Sequence, residues 1–228
     1  MERKIVRTAD GSKTIQLTDW NEQYHSLHGA VQEAYHVFIE AGLRQFSDRE
    51  LSILEVGFGT GLNALITLLE APSLGLKLHY TALETAPVSE AEWRELGYGS
   101  ALDTTGAALW YEALHGCPWE EPFTLRDGFT LTKNNTDLRQ FVAPAPAYDL
   151  IYFDAFGARV QPDLWTEDIF SSMFSALRPG GILVTYSAKG SVRRAMEAVG
   201  FRTERLPGPP GKREMLRASK PQDAHSLA

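Results

Sequence analysis

The sequence predicts an α/β fold: a doubly wound, mostly parallel sheet with helices on both faces and a small N-terminal addition. The first observation behind this prediction is the stretch 51–63, where an apolar run is followed by three glycines and then by leucines at helical spacing. The second is the alternation of strand-like and helix-like segments along the rest of the chain. The third is a pair of strand-like segments around the proline- and glycine-rich stretch 207–211, which predicts a closing antiparallel pair.

The composition limits the class of protein. The chain has 228 residues, 43% of them hydrophobic, which is enough for a sizeable core. A single cysteine, Cys117, excludes a disulfide framework. No apolar run approaches the roughly 20 residues of a membrane span, and Met1 leads into no signal-peptide core, so we expect a cytoplasmic protein.

The charge is unevenly distributed. The net charge is −7, but residues 181–228 hold nine Lys or Arg and four Asp or Glu, which gives this segment +5. A local basic patch can attract a polyanion even to an acidic protein. On charge alone, an ordinary solvated surface is the favoured explanation.

Residues 1–50 are predicted to form the N-terminal addition. Asp10-Gly11 is a turn signal between two strand-like runs, so a hairpin is predicted at 5–17. Apolar residues at helical spacing between Val31 and Phe38 then predict a helix.

Residues 51–220 are predicted to form the main domain, followed by a flexible tail at 221–228. Glycines and aromatic residues alternate in 97–120, which predicts short helices and loops, with a lid as one possibility. The other elements are predicted, in chain order, as a strand at 53–56, a helix from Leu62, a strand at 77–83, a helix at 87–96, strands at 123–126 and 148–153, a helix from Thr166 to Leu177, a strand at 181–186, a helix at 192–199, and an antiparallel pair at 201–206 and 214–219.

The glycine turn predicts a ligand site. Gly57, Gly59 and Gly61 follow a strand and precede a helix, where the backbone reverses and approaches a ligand closely. The dinucleotide-binding fingerprint requires a glycine at position 62, which here is Leu62. The spacing Gly-x-Gly-x-Gly after the acidic Glu55 instead resembles motif I of class I methyltransferases that bind S-adenosylmethionine.

Three acidic residues follow predicted strands: Glu84, Asp127 and Asp154. In a parallel sheet they would meet at the edge that carries the glycine turn. We expect Glu84 to accept both ribose hydroxyls and Asp127 to accept from the adenine amino group. Helix capping is the structural alternative for any one of them.

Asp154 stands between aromatic residues, next to Phe156. Methyl transfer from a sulfonium needs a neutral nucleophile, and an amine is mostly protonated at pH 7. A carboxylate that binds and orients the amine and helps it lose its proton suits that chemistry. Phe156 is predicted to stack on a base, with a core position as the alternative.

Metal catalysis finds little support. The six histidines are scattered, with no His-x-x-x-His pair. There is also no Gly-x-Ser-x-Gly nucleophile motif.

Several segments together resemble the methyltransferase domain of the bacterial MnmC enzymes, which make 5-methylaminomethyl-2-thiouridine at the tRNA wobble position. The matching segments are Tyr24-His25-Ser26 with Glu33, Glu55 to Asn63, Asp154-Ala155-Phe156, Pro162 to Thr166, Arg178 to Gly181, Val192 to Arg194, and Gly211 to Leu216. The resemblance implies the Rossmann-like, seven-stranded sheet of class I methyltransferases and methylation of a 5-aminomethyl group, with Asp154 as the catalytic carboxylate. It also implies S-adenosyl-L-methionine as cofactor, no metal and, because the flavin-dependent oxidase region of fused members is not expected here, no flavin.

The resemblance and the strand-end pattern together give the candidate site residues. The expected cofactor contacts are Glu55, Gly57, Phe58, Gly59, Gly61, Asn63, Glu84, Asp127 and Gly128. The expected substrate contacts are Tyr24, Ser26, Phe156, Lys189, Arg193, Lys212 and Arg213. The expected partners are the tRNA anticodon stem-loop and, upstream, separate oxidase or tRNA-modification enzymes.

Two other functions remain open from the sequence. One is a methyltransferase or aminopropyltransferase that acts on a small amine, with similar carboxylate chemistry. The other is a non-catalytic RNA-binding protein on the same fold. The basic C-terminal segment and its Lys212-Arg213 loop favour RNA over a small amine.

Overall fold

The computed structural model describes residues 2–143 and 145–222. Within them, eleven strands and seven α-helices alternate as the sequence predicts for an α/β protein. The strands are β1 (Arg3–Arg7), β2 (Lys13–Leu17), β3 (Glu22–Gln23), β4 (Glu50–Val56), β5 (Lys77–Leu83), β6 (Phe123–Arg126), β7 (Phe129–Asn134), β8 (Tyr148–Phe153), β9 (Leu177–Thr185), β10 (Arg202–Pro207) and β11 (Glu214–Ser219). The helices are α1 (Ala30–Ala34), α2 (Leu62–Glu70), α3 (Glu90–Leu96), α4 (Tyr98–Ala101), α5 (Ala107–Gly116), α6 (Glu167–Ala176) and α7 (Gly190–Ala198).

The main sheet has eight strands in the order β10-β11-β9-β8-β4-β5-β7-β6. Its five central strands, β9, β8, β4, β5 and β7, pair in parallel. All six residues of β8 are buried, because helices cover both faces of a parallel sheet. The prediction of a doubly wound, mostly parallel sheet is confirmed, with one strand more than the seven expected.

Two hydrophobic clusters lie on the two faces of this sheet. One joins residues of α2 and α5, such as Leu65 and Tyr111, to the N-terminal addition. The other contains Phe170 from α6 and Met196 from α7. The sheet is therefore covered on both sides, as the apolar stripes of these helices predict.

The N-terminal addition consists of an antiparallel sheet, β1-β2-β3, and a helical segment. The hairpin predicted at 5–17 is confirmed, with Arg3 paired to Leu17. After α1, residues Tyr35–Glu40 continue as a π-helix whose Val37 and Phe38 are buried in the first cluster. The proposed domain division at residue 50 stays a prediction.

The strand predicted at 123–126 is present, but its neighbour was missed. β6 pairs antiparallel with β7, and β7 is the parallel partner of β5. Asp127 and Gly128 form the turn between β6 and β7, and the Gly128 carbonyl accepts from the N–H of Leu78, near the beginning of β5. This turn therefore lies at the amino edge of the parallel strands, opposite the glycine turn.

Other boundaries differ slightly from the predictions. Helix α6 ends at Ala176, and Leu177 already pairs with Tyr148 at the start of β9, one helical residue earlier than expected. The segment 97–120 contains α4 and α5, as predicted, but Tyr98 and Leu114 are fully buried, so it is part of the core and not a lid. The predicted closing pair is confirmed by β10 and β11. Of the tail predicted at 221–228, residues 223–228 lie outside the described residues.

Candidate active site

A cavity of about 830 Å³ opens at the carboxyl ends of β4, β5 and β8. This is the edge at which open α/β sheets bind ligands. The walls come from the N-terminal addition, from the loops after these strands and after β7, and from the loop between β10 and β11. The cavity thus brings together segments from both ends of the chain.

The glycine turn after β4 forms one wall. Gly57, Gly59 and Gly61 all have positive φ, of 91°, 51° and 73°. A Cβ on Gly57 would lie 2.8 Å from the carbonyl oxygen of Asp154, and a Cβ on Gly59 would lie 3.2 Å from the ring of Tyr24. The turn therefore has both the backbone conformation and the close packing that require glycine, and it leads into α2 as a ligand-binding turn does.

Glu84, directly after β5, is tied to this turn. Its Oε2 accepts from the N–H of Gly59, and its Oε1 accepts from the N–H groups of Thr85 and Ala86, each at 2.8 Å. The carboxylate thereby fixes the two loops relative to each other. It also lines the cavity, where a ligand bearing hydroxyl groups would meet it.

Asn63, in the first turn of α2, bridges two carboxyl groups. Its Nδ2 donates to Asp154 Oδ2 at 2.8 Å and to Glu55 Oε1 at 3.1 Å. Glu55 is fully buried, and this burial, together with the charge of Asp154, raises its pKa well above the usual value. The pKa of Asp154 is also raised well above its usual value, by burial and by the charge of Glu33, with Asn63 and Lys212 acting in the opposite direction. The carboxyl groups of Glu55 and Asp154 therefore keep a proton to a higher pH than an exposed carboxyl group does.

The cavity that contains Asp154 is also lined by an ion pair between Glu33 and Lys212. Lys212 Nζ lies 2.6 Å from Glu33 Oε1 and 3.9 Å from the centre of the Tyr186 ring. The second oxygen of Glu33 accepts from the N–H of Ser26 at 2.7 Å. The Glu33 side chain is only 8% exposed, whereas that of Lys212 is 34% exposed. The pair joins the loop after β10 to the N-terminal addition.

Aromatic side chains line the mouth of the cavity. The ring of Phe156 meets Tyr24 at 5.0 Å and Trp20 at 5.8 Å between centroids, in both cases edge to face. Burial raises the pKa of Tyr24 to about 12, so its hydroxyl stays protonated at neutral pH. Next to it, the buried His25 shares a hydrogen bond of 2.8 Å with the hydroxyl of Thr60. Burial lowers the pKa of His25 to about 4, so this imidazole is neutral.

Most of the residues predicted for the site lie together. The predicted residues that line the cavity are Tyr24, Ser26, Gly57, Phe58, Gly59, Asn63, Glu84, Asp154, Phe156, Lys189 and Lys212. Gly61 ends the glycine turn, and Glu55 lies behind Asn63.

Four predicted residues lie elsewhere. Asp127 and Gly128 are at the opposite edge of the sheet, so the cofactor contacts predicted for them are wrong. Arg193 pairs with Glu197 one turn further along α7, at 2.7 Å, and does not line the cavity. Arg213 is exposed beside Lys212, outside the cavity.

Sequence reasoning did not assign a role to three residues that the cavity contains: Glu33, Tyr186 and Asp137. Asp137 follows β7, and its Oδ1 and Oδ2 accept from Arg139 Nε at 3.0 and 3.2 Å. The pairing with Arg139 lowers the pKa of this carboxyl below its usual value.

The sequence signal that could have identified β7, and with it Asp137, is the Asp127-Gly128 dipeptide, which marks a hairpin turn between alternating strands.

In residues 2–143 and 145–222, no three His, Cys, Asp or Glu side chains are grouped as a metal ion would require. Within the same ranges, no helix is long and apolar enough to cross a membrane.

Comparisons with known proteins show which proteins the chain is similar to. Residues 112–221 match a family described as S-adenosyl-L-methionine-dependent methyltransferase. The bifunctional protein MnmC of tRNA 5-methylaminomethyl-2-thiouridine biosynthesis from Cupriavidus necator is 32% identical over 213 residues, which are 89% of this chain and 32% of that protein. The chain therefore spans about a third of the length of this relative.

Two solved structures are also similar. The crystal structure of MNMC2 from Aquifex aeolicus superposes with a TM-score of 0.75 at 26% identity, covering 97% of this chain and 72% of that one. A probable spermidine synthase from Corynebacterium glutamicum has a TM-score of 0.54 at 18% identity, covering 95% of this chain and 76% of that one, and shows the shared fold alone.

The glycine turn, the strand order and the family match define the chain as a class I, S-adenosyl-L-methionine-dependent methyltransferase. Within that class its sequence and structure are similar to those of the MnmC proteins.

Proposed function

We propose that the protein methylates the amine of a 5-aminomethyl-2-thiouridine at the wobble position of tRNA, the last step in forming 5-methylaminomethyl-2-thiouridine. The observation that carries this proposal is the position of Asp154. Its carboxyl group lines the cavity that also contains the glycine turn, and it is held by Asn63 at 2.8 Å. A carboxylate placed beside a methyl-donor site suits an amine acceptor better than a carbon or hydroxyl acceptor.

The residues of the cavity fit S-adenosyl-L-methionine as cofactor. The positive φ values of the glycine turn and the space that a Cβ would fill make room for a nucleoside close to the backbone. We assign the ribose to Glu84 and the adenine side to Asp137, which takes the place that the sequence suggested for Asp127. The cofactor supplies an electrophilic methyl group on a sulfonium.

The chain's own contribution is to bind, orient and deprotonate the amine. The substrate amine enters as an ammonium, and Asp154 binds it through a charged hydrogen bond. Because the pKa of Asp154 is raised, the carboxylate is basic enough to accept one N–H proton, which frees the nitrogen lone pair for methylation. Asn63 and Tyr24 hold the carboxyl group and the mouth of the site in place.

The rim of the cavity supports a nucleic-acid substrate. Trp20, Tyr24 and Phe156 offer aromatic surface for a base, a kind of contact worth about 1–3 kcal/mol per base. Lys189 and Arg213 are exposed, and in the described part of the chain neither has a carboxylate within 4 Å, so both are available to phosphate groups. Separate enzymes upstream would supply the aminomethyl group.

The test is incubation of the protein with labelled S-adenosyl-L-methionine and tRNA that carries the 5-aminomethyl group, followed by nucleoside mass spectrometry. We expect one added methyl on the wobble nucleoside and none on tRNA that lacks the amine. A parallel reaction with small polyamines examines the alternative substrate class. Methylation of the polyamine and not of the tRNA would reject the proposal.

A further inference from the structure

The loop between β10 and β11 carries two adjacent cations that behave differently in the structure. Arg213 is exposed, whereas Lys212 lies in the cavity, with its Nζ 2.6 Å from Glu33 Oε1 and over the ring of Tyr186. A contact to the RNA backbone therefore suits Arg213 and not Lys212, although the sequence favours an RNA contact for both. The role of Lys212 has to be found inside the cavity.

Without Lys212, the cavity would present two carboxylates to a substrate amine. Glu33 and Asp154 both line it, and the charge of Glu33 raises the pKa of Asp154. An ammonium bound between two uncompensated carboxylates is stabilised as an ammonium, and in that form it has no lone pair to accept a methyl group. Tight binding of the protonated amine would then work against the transfer itself.

We propose that Lys212 is a positioning residue that compensates Glu33, so that Asp154, and not Glu33, is the carboxylate open to the substrate amine. This inference rests on the proposed amine methylation. Three contacts fix the ammonium of Lys212 where it can do this: the ion pair to Glu33, the face of the Tyr186 ring, and the backbone turn in which the N–H of Lys212 donates to the carbonyl of Pro209 at 2.9 Å.

The charged and titratable groups around this pair come from several elements, and they set what a pH experiment measures. Those that face the pair or Asp154 are His25, Glu55, Tyr80, Tyr186 and His28, whose ring packs against Gly211 next to Lys212; Glu22 in turn faces Tyr186. Burial keeps His25 neutral down to about pH 4 and keeps both tyrosines protonated. His28 and Glu22 are the same in the parent and in every variant used below, so a difference between the pH profiles of the variants reports on Asp154 and the substrate amine near Lys212.

Removing either partner of the pair has opposite consequences. Lys212→Met leaves Glu33 uncompensated, so Asp154 and the amine hold their protons to a higher pH. Glu33→Gln leaves Lys212 uncompensated, so both lose their protons at a lower pH. We expect shifts of about 0.5–1 pH unit in each direction, the usual size for one nearby charge. If the ion pair only held the loop to the N-terminal addition, the pH at which Asp154 loses its proton would shift in the same direction in both variants, or would not shift.

The first measurement needs no substrate. The protein is labelled with ¹³C-carboxyl aspartate, the Asp154 signal is assigned by its loss in Asp154→Asn, and its titration is followed by NMR. We expect the midpoint to rise in Lys212→Met, to fall in Glu33→Gln and to return to the parent value in Lys212→Arg. An Asp154 midpoint that is the same in the parent, Lys212→Met and Glu33→Gln proteins overturns the inference.

The second measurement is the pH dependence of kcat for methylation of aminomethyl-tRNA, which reports groups in the enzyme–substrate complex. The ascending limb of the plot of kcat against pH should move to higher pH in Lys212→Met and to lower pH in Glu33→Gln. Arg205→Met is the matched control, because Arg205 pairs with Glu214 at 3.3 Å on the same hairpin and does not line the cavity. It removes the same charge and should leave the limb in place.

The two proposals fail in different ways. If the parent protein transfers no methyl group to aminomethyl-tRNA, the proposed function is wrong, and the NMR titration still decides whether Lys212 sets the proton affinity of Asp154. If the parent is active but the limb moves equally in Arg205→Met and Lys212→Met, the inference is wrong and the function stands. If Lys212→Met does not fold, the other two variants still test the inference: the Asp154 midpoint should be lower than in the parent in Glu33→Gln and the same as in the parent in Lys212→Arg.

Discussion

Replacing Glu84 by alanine tests how the cofactor side of the site is built. The carboxylate accepts three backbone N–H groups at 2.8 Å, one from Gly59 in the glycine turn and two from the loop after β5. A hydrogen bond to a charged group contributes about 1.5–3 kcal/mol when buried. Because Glu84 is only partly buried, water recovers some of this in the variant. We expect Glu84→Ala to lower the free energy of unfolding by about 1–2 kcal/mol.

The same substitution should reduce the free energy of cofactor binding by more than it reduces the free energy of unfolding. It removes the proposed ribose acceptor and also loosens the N–H of Gly59 that shapes the turn. Together these effects should cost about 1–3 kcal/mol of binding free energy, or roughly a 5- to 150-fold rise in Kd. Glu84→Gln keeps one acceptor oxygen and should lie between the parent and the alanine variant.

Isothermal titration calorimetry with S-adenosyl-L-methionine measures this directly, with urea unfolding of each variant alongside. Asp127→Ala is a matched control, since it is also an acid that follows a strand but lies at the opposite edge of the sheet. It should leave Kd unchanged. A folded Glu84→Ala protein that binds the cofactor as tightly as the parent would refute the assignment, and so would an equal loss in Asp127→Ala.

Four other perturbations follow from the site and the core. Asp154→Asn keeps the shape of the side chain but removes the base, so the rate of methylation should fall by about 100- to 10,000-fold while calorimetry finds cofactor affinity nearly unchanged; a rate near that of the parent contradicts the proposed role. Gly57→Ala should destabilise the fold by about 1–3 kcal/mol in urea unfolding, because φ is 91° and the new Cβ would lie 2.8 Å from the Asp154 carbonyl oxygen; unchanged stability would mean that the turn relaxes freely. His25 and His115 are both buried, with pKa values lowered from 6.5 to about 4, so the unfolded chain binds their protons first, and their contribution to stability is complete above pH 6.5 and is lost as the pH falls towards 4. In unfolding curves at several pH values, His25→Gln should reduce this loss by up to about 1.4 kcal/mol per pH unit, and an unchanged pH slope would show that the imidazole is not held neutral. Arg213→Ala should weaken tRNA binding and reduce the slope of log Kd against log salt by about one, as expected for one lost phosphate contact; superimposable salt titrations would place the RNA surface elsewhere.

The sequence was sufficient for the parts of the fold that depend on local pattern. The strand, glycine turn and helix of residues 51–70 follow from an apolar run, three glycines and leucines at helical spacing, and the structure has them with positive φ at all three glycines. Asp154 was correctly placed at the edge of the site because β8 is a continuous apolar run that ends at that residue. In both cases the pattern and the strand direction were unambiguous.

The direction of β6 was not evident from its own residues. Residues 123–126 read as a strand, and the strand-end rule then assigned Asp127 to the cofactor. That prediction is wrong because Asp127-Gly128 forms a hairpin turn, as Asp10-Gly11 does in the N-terminal addition, and does not end a parallel strand. Lys133 made β7 harder to see, because a lysine that is 1% exposed interrupts an otherwise alternating pattern.

The position of Lys212 depends on a partner that no local pattern identifies. Its carboxylate partner, Glu33, is 179 residues away in the sequence. A lysine next to an arginine in a glycine- and proline-rich loop reads as exposed, and Arg213 is. Lys212 lies in the cavity and Arg213 is exposed only because of the way the loop packs against the N-terminal addition.

The same long separation has a consequence for how the molecule assembles. The contact between Gly59 and Glu84 spans 25 residues, whereas the Glu33–Lys212 contact spans 179, and closing a longer loop costs more chain entropy and slows the step. We therefore expect amide protection at Gly59 in pulsed hydrogen exchange to develop at the same rate in the parent and in Lys212→Met, because the glycine turn forms before the Glu33–Lys212 contact; slower protection at Gly59 in the variant would contradict this. In that order of events, the glycine turn and Glu84, which we assign to the cofactor, are in place before the Glu33–Lys212 pair forms beside Asp154. A cofactor present during folding would then bind and stabilise a partly folded chain that does not yet bind its substrate.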